Sequence, residues 1–330
     1  METITCIFCK TQQEDRILIR ENGFTGRKCD KCGLVYISPR PSLSDIENLY
    51  THDQAQISAE SHKSQSFIKR LYARHHLAIL RRYASKGSLL EIGAGAGFFL
   101  DEARKSGLDV CGIEWNTKQI AFIRNGLNIR CETGTLLEAF DSKSFDIIYH
   151  CDVISHFHDP ISDFSIMNKR LNPGGILMFE TGNGDFEDKY LSAFSSFQYP
   201  DHLFFFSEKN IRDLLALTGF ELLAIYRWSI LPQLAAIKLL RRLRSVKAFL
   251  GMNRKVPVQP GDRESSSPES PALSSGGTAK KRLWTIMGKG IEIMLYILRY
   301  KVGYIYPRER RPYTLIVVAR KSITSPPSGR

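Results

Sequence analysis

Nowhere in the 330 residues is there a run of about 18 uninterrupted apolar positions, the length that a membrane-crossing helix requires. The opening Met1-Glu2-Thr3-Ile4-Thr5-Cys6 has no basic stretch leading into an apolar one, so it does not read as a secretory leader. Cysteine is limited to seven residues, four of them spaced as a set and three single, a pattern unlike the disulfide framework of a small secreted domain. Cys111, Cys131 and Cys151 fall in or beside expected strands and read as buried thiols of a reduced, cytoplasmic protein. Acidic residues are scarce at one end only. Through residue 221 there are 25 Lys+Arg against 29 Asp+Glu, a balance of −4; from residue 222 there are 21 against 5, a balance of +16. The net +12 is therefore a property of the C-terminal third, and the rest is mildly acidic.

What is present is enough chain to bury a full α/β core and one small extra module, at an ordinary 43% apolar content. The sharpest local signal is Leu89-Leu90-Glu91-Ile92-Gly93-Ala94-Gly95-Ala96-Gly97, followed by Phe98-Phe99-Leu100. It reads as a buried strand, a tight glycine loop and the start of a helix. Dinucleotide sites use G-x-G-x-x-G without an acid ahead of it. Here the pattern is E-x-G-x-G-x-G, and a carboxylate beside bare backbone suits a cofactor with an ammonium group and no phosphate. S-adenosylmethionine fits that description better than NAD; a ligand-free strand–helix turn is the other alternative. Val110-Cys111-Gly112-Ile113-Glu114 reads as the next strand, and Glu114 lies about 20 residues after the loop, where an acid can hold ribose hydroxyls. The helix between, roughly 97–106, ends at Gly107.

The four spaced cysteines are Cys6-x-x-Cys9 and Cys29-x-x-Cys32. Each pair can present two thiolates to one tetrahedral ion, the spacing of a four-cysteine zinc ribbon, with Asn22-Gly23 as a hairpin turn between them. Four thiolates leave no position open for water, so such a site is structural. Unrelated thiols or two disulfides are the alternatives.

On these residues, 88–228 resembles a class I S-adenosylmethionine-dependent methyltransferase. Ser144-Phe145-Asp146-Ile147-Ile148-Tyr149 is similar to the family's fourth strand, and Val153 to Pro160 to its "VLEHxxDP" stretch. Leu171-Asn172-Pro173-Gly174-Gly175, then Ile176 to Phe179, resembles the "LkPGG" turn and fifth strand. His202 to Ser207 resembles "HLyfFs", and Leu215 to Ile225 the "GFE" unit. Two positions depart: Ser155 stands where the family has an acid, and Thr135 where an acid usually holds the adenine amino group. Cys32-Gly33-Leu34-Val35-Tyr36-Ile37-Ser38-Pro39-Arg40-Pro41-Ser42 resembles the tail of zinc-ribbon methyltransferases, some of which methylate sugars.

The resemblance implies a Rossmann-like α/β fold: a zinc ribbon over 1–42, a helical lead-in over 43–86, and a cofactor domain over 87–229 and 312–321. It implies that Glu91, Gly93, Gly95 and Gly97 line the methionine end of S-adenosylmethionine, Glu114 takes the ribose, Trp115 lies against adenine and Thr135 lies near its amino group. His156 and His202 are the candidate bases. Cys6, Cys9, Cys29 and Cys32 would hold one Zn2+. His75-His76 reads as a solvated helix face rather than a metal site.

Residues 230–311 interrupt the last two strands, where the family has a short link. Residues 257–279 have the Ser/Pro/Gly composition of a disordered linker. The flanking segments Leu231–Leu250 and Leu283–Tyr306 mix apolar and basic residues, as helices at an anionic membrane surface do; packing on the core or on a partner copy is the alternative. The expected activity is methyl transfer to a small molecule: a sugar, glycan or lipid-linked precursor. An RNA methyltransferase and a non-catalytic scaffold are the competing classes, and basic segments this apolar do not make a solvated RNA face.

Overall fold

A computed structural model describes residues 1–10, 15–21, 23–51, 65–140, 143–186, 202–228, 289–290, 292–294, 296–302 and 314–322. Two sheets organise it. The larger has seven strands: β4 (Ser88–Ile92), β5 (Asp109–Ile113), β6 (Arg130–Glu132), β7 (Phe145–Cys151), β8 (Leu171–Gly182), β10 (Phe220–Trp228) and β11 (Thr314–Lys321). Their order is β10-β11-β8-β7-β4-β5-β6, parallel except for β11, which is antiparallel to both its neighbours. The smaller sheet is β1 (Arg16–Glu21), β2 (Phe24–Lys28), β3 (Val35–Ile37) and β9 (Phe204–Phe205). In the β1–β2 hairpin Gly23 takes φ +81° just before β2.

The expected α/β fold is thus present, with small shifts of boundary. Glu91 lies inside β4, and β5 ends one residue before Glu114. Leu171 to Gly175 is not a separate turn. It forms an irregular stretch of β8, where pairing with β7 jumps from Phe145↔Leu171 to Ile147↔Ile176. Asp146 organises that point. Its carboxylate accepts from Ser88 N–H at 2.8 Å and from Asn172 Nδ2 at 2.7 Å, tying together the starts of three neighbouring strands.

Six helices are described: α1 (Leu43–Thr51), α2 (Ser66–Leu80), α3 (Phe98–Lys105), α4 (Thr117–Ala121), α5 (Pro160–Arg170) and α6 (Glu208–Leu217). α2 is bound to α3 by Arg70, which reaches Asp101 and Glu102 at 2.6 Å, and by Arg74, which reaches Glu102 at 2.7 Å. Segment 231–250 and the linker 257–279 lie outside the described residues. Of the second flanking segment, Leu298–Val302 forms a π-helical turn.

The core is mostly apolar, and β7 places a histidine inside it. His150 is fully buried, its ring stacked on Phe179 at 4.8 Å with Phe157 and Phe164 edge-on, and neither ring nitrogen has a partner. Burial pushes its pKa down to about 3, so the native state keeps it neutral where the unfolded chain protonates. Stability should therefore fall as pH drops from the ordinary histidine value toward 3, by about 1.4 kcal/mol per pH unit for this group. Urea titrations across that window should show a shallower acid arm in His150→Leu. An unchanged arm would mean that this histidine is already charged in the native protein.

Candidate active site

The C-terminal ends of β4, β5, β7 and β8 surround a cavity of about 980 Å³. This is the edge at which open α/β sheets bind ligands. Glu91 reaches it from β4 with its side chain buried, and its Oε2 has no hydrogen-bond partner. Burial, reinforced by the charge of Glu114, pushes its carboxyl well above the usual range. A buried carboxylate oxygen without a donor is unfavourable until a cation reaches it.

The glycine loop leaves no room for side chains on its inner side. Gly93 and Gly97 have φ +67° and +70°. A Cβ there would stand 2.7 Å from Val153 Cγ2 and 2.7 Å from Ile123 Cγ1 respectively. Glycine avoids both the strain and the overlap. Gly95 donates its N–H to Glu114 Oε2 at 2.7 Å, while Glu114 Oε1 accepts from Trp115 and Asn116 N–H at 2.9 and 3.0 Å. Three backbone donors therefore fix the orientation of that carboxylate, and burial still raises its pKa. The Trp115 indole N–H donates to Gly134 O at 2.9 Å, which pins the ring against the loop after β6. Thr135 Oγ1 donates to Glu138 Oε2 at 2.9 Å. With its hydrogen committed there, the hydroxyl has only acceptor capacity left for a ligand.

His156 and His202 come together, with ring centroids 4.6 Å apart, and Tyr50 Oη lies 2.8 Å from His156 Nδ1. The smaller sheet holds this pair in place. Leu203 N–H donates to Ser155 O at 2.8 Å, and Ile37 N–H donates to Leu203 O at 3.0 Å. β9 then pairs with β3, so the residues flanking both histidines are stitched to the N-terminal module. In that module Cys6, Cys9, Cys29 and Cys32 converge, their sulfurs all within 4.8 Å of one another. Asn210 Nδ2 donates to Cys32 O at 3.0 Å, anchoring the second pair to α6.

The cavity has a second polar centre that the sequence did not suggest. His76 is not solvated. It is 2% exposed, with Nε2 2.8 Å from Glu180 Oε2 and Nδ1 2.5 Å from Tyr149 Oη. His75 is stacked on Tyr300 at 4.2 Å. Both rings turn inward because α2 lies against the sheet and against the turn at 298–302. From that turn Arg299 pairs with Glu180, and Tyr300 donates its hydroxyl to Glu180 Oε2 at 3.0 Å. Burial alone would raise the Glu180 carboxyl, but Arg299 and His76 hold it down at about 2. Cys111 and Cys131 are buried as expected; Cys151 is only half-buried and lines the cavity.

Residues 64–225 match the family described as "Methyltransferase domain". Phosphoethanolamine N-methyltransferase 2 of Caenorhabditis elegans is 29% identical over 159 residues, which are 44% of this chain and 36% of that protein. Ubiquinone biosynthesis O-methyltransferase of Actinobacillus pleuropneumoniae is 28% identical over 106 residues, 29% of this chain and 45% of that one. The chain thus spans less than half the length of these curated relatives. The structure of Haemonchus contortus phosphoethanolamine N-methyltransferase 2 with S-adenosyl-L-methionine aligns at a TM-score of 0.47 and 18% identity, over 87% of this chain and 63% of that one. Residues 64–225, just under half of the chain, are thus similar to the methyltransferase domain family.

In this part of the chain Glu91, Gly93, Gly95, Glu114, Trp115, Thr135, His156 and His202 all line the same cavity. Gly97 stands behind it, as the N-cap of α3. The sequence reading missed Tyr50, His76, Asp152, Glu180, Arg299 and Tyr300, which line the same space. His76 was recoverable in principle. It shares the buried stripe of α2 with Ala73, Leu77 and Leu80, and a histidine inside such a stripe needs a polar partner.

Proposed function

We propose that the protein transfers a methyl group from S-adenosylmethionine to a small molecule. The observation that carries this reading is Glu91: an unpartnered buried carboxylate oxygen, beside a glycine loop, in the cavity that also holds Glu114. The residues fit the cofactor. Glu91 would receive its ammonium group, the backbone of 93–97 its methionine chain, Glu114 its ribose hydroxyls, and Trp115 and Thr135 its adenine. When bound, the cofactor supplies an electrophilic methyl on a sulfonium; the chain supplies position and a base. His156 and His202 are the candidate bases at the outer end of the cavity. Calorimetry should detect binding of S-adenosylmethionine or its demethylated product and none of NAD. Heat from NAD alone would overturn the reading.

Zinc in the N-terminal module belongs to the same proposal. Four sulfurs around a tetrahedral ion at about 2.3 Å would lie roughly 3.8 Å apart. Cys6 and Cys32 sulfurs are 3.4 Å apart, and all four sit within the span one ion can bridge. Among small molecules, the zinc-ribbon tail Cys32 to Ser42 favours a sugar, glycan or lipid-linked acceptor.

A role at a membrane surface is supported by the C-terminal region. Ile293, Met294 and Ile297 are exposed there, in a region of net charge +16 beyond residue 221. Each basic residue near an anionic bilayer contributes about 1 kcal/mol, and salt screens it. The full chain should co-sediment with phosphatidylserine-containing vesicles at low salt and much less with neutral ones. Equal recovery with both vesicle types would remove the electrostatic basis of this role.

A further inference from the structure

Asp152 directly follows β7, next to β4 and its glycine loop. Its φ of +55° is a left-handed conformation that aspartate tolerates, and its N–H donates to Glu180 O at 2.9 Å. The next residue, Val153, packs against Gly93. The Asp152 carboxylate is therefore placed one residue from the loop assigned to the methionine end of the cofactor, and it is exposed inside the cavity.

The groups around it are already committed. Arg299 is paired with Glu180 and lies over the rings of Tyr72 and Tyr300, each at 5.2 Å. His76 and the Tyr300 hydroxyl also bond Glu180. The Asp152 carboxylate has no ion pair among the described residues; its one side-chain neighbour within bonding range is Cys151 Sγ, at 4.0 Å. Lys69 of α2 faces the same lobe. The two tyrosine faces are already covered by Arg299, so what the lobe offers is one open carboxylate within 4.8 Å of the Glu180 carboxylate, which recognises an ammonium through charge and hydrogen bonds.

We propose that this inner lobe is the methyl-acceptor subsite and that Asp152 takes the proton of an acceptor amine there. The proposal rests on the methyltransferase reading, adds the nucleophile, and puts Asp152 in place of His156 and His202 as the base. The acceptor enters as R–NH3+, and Asp152 removes one proton, leaving a lone pair on nitrogen. The nitrogen–methyl bond forms as the sulfonium sulfur–methyl bond breaks. Sulfur leaves as a neutral thioether, the product nitrogen carries the positive charge, and the abstracted proton rests on Asp152. Burial and the neighbouring Glu180 charge push the Asp152 carboxyl up, against Arg299, Lys69 and His76, which draw it down; the net direction is up. Cys151, the last residue of β7, is a further titratable neighbour, and desolvation raises it too. A raised carboxyl is a better match to an ammonium proton than an ordinary one.

The test uses the full chain, methyl-labelled S-adenosylmethionine and two pools. One pool holds ethanolamine, glucosamine and phosphoethanolamine; the other holds ethylene glycol, glucose and glycerol phosphate. Label is expected in the amine pool. Asp152→Asn should lower kcat by about 10²–10³ with cofactor affinity within about twofold of native. Asp152→Glu should recover part of that loss, and the acid limb of the pH–rate profile should vanish in Asp152→Asn. Label in the hydroxyl pool alone, an undiminished rate in Asp152→Asn, or no label in either pool from a protein that binds the cofactor would each overturn the inference while leaving the methyltransferase reading standing. A protein that binds no S-adenosylmethionine would overturn both.

Discussion

Glu91→Met should make the protein more stable at neutral pH and at the same time remove S-adenosylmethionine binding. The two effects share one cause. The native carboxylate is buried with an unpartnered oxygen, and its carboxyl is held well above the usual range by burial. A group whose folded pKa is raised contributes its full stability below the unfolded pKa and loses it as pH rises through the folded value. The variant should therefore gain little near pH 4 and progressively more toward pH 8, reaching roughly 1–3 kcal/mol. Methionine keeps the unbranched length but offers no charge to an ammonium group. Loss of a buried charge-assisted contact costs about 3 kcal/mol, roughly a hundredfold in affinity. Urea unfolding at the two pH values and calorimetry with S-adenosylmethionine read both quantities. A variant that binds with native affinity would show that Glu91 is a structural acid and not part of the cofactor cradle.

Cys29→Ser should have the largest effect on folding. The native protein should carry about one equivalent of zinc, and the variant essentially none. Structural zinc in small cysteine sites is worth about 10–16 kcal/mol to the fold around it. Here the loss should not stop at the module, because β3 pairs with β9 and Ile37 N–H bonds Leu203 O beside His202. Amide exchange should accelerate from 24 to 37 and also from 202 to 206, with β4 and β5 unchanged. Full zinc content in the variant would remove these cysteines as the ligand set. Protection intact at 202–206 would mean that the module and the site are mechanically separate.

How much of this was legible in the sequence depends on how local each signal is. Glu91, the glycines and Glu114 lie within 24 consecutive positions, and the physics that makes a strand, a tight turn and a helix acts over that span. That Glu91, the glycine loop and Glu114 gather at one edge of the sheet could be read for that reason. The convergence of the cysteine pairs was legible because two C-x-x-C turns flanking a hairpin bring their sulfurs together. The inner lobe was not. It joins His76, Asp152, Glu180 and Arg299 from four separate elements, and only the strand order β8-β7-β4 with α2 across it brings them together. His75 and His76 were misjudged because a pair of histidines on an amphipathic helix looks polar; the apolar contacts of His75 with Trp228 and Tyr300 depend on chain more than 150 residues away. Thr135 was read as lying near an adenine amino group; its bond to Glu138 depends on a local turn that a missing acid did not advertise.

The long excursion between β10 and β11 leaves from Trp228 and returns at Thr314, and these two residues are partners in the same ladder. Its two ends are therefore a single strand-to-strand step apart, however much chain lies between. Closing a loop depends only weakly on its length, about 0.6 kcal/mol for each doubling, so the sheet is nearly indifferent to what is spliced in there. Yet Arg299 and Tyr300 come from that excursion and sit on Glu180. The fold thus has a socket: a place where foreign sequence can be exchanged without unsettling the open sheet beneath, and where whatever is exchanged becomes part of the cavity wall. A lineage could remodel the cavity wall by trading this one cassette while inheriting the glycine loop untouched.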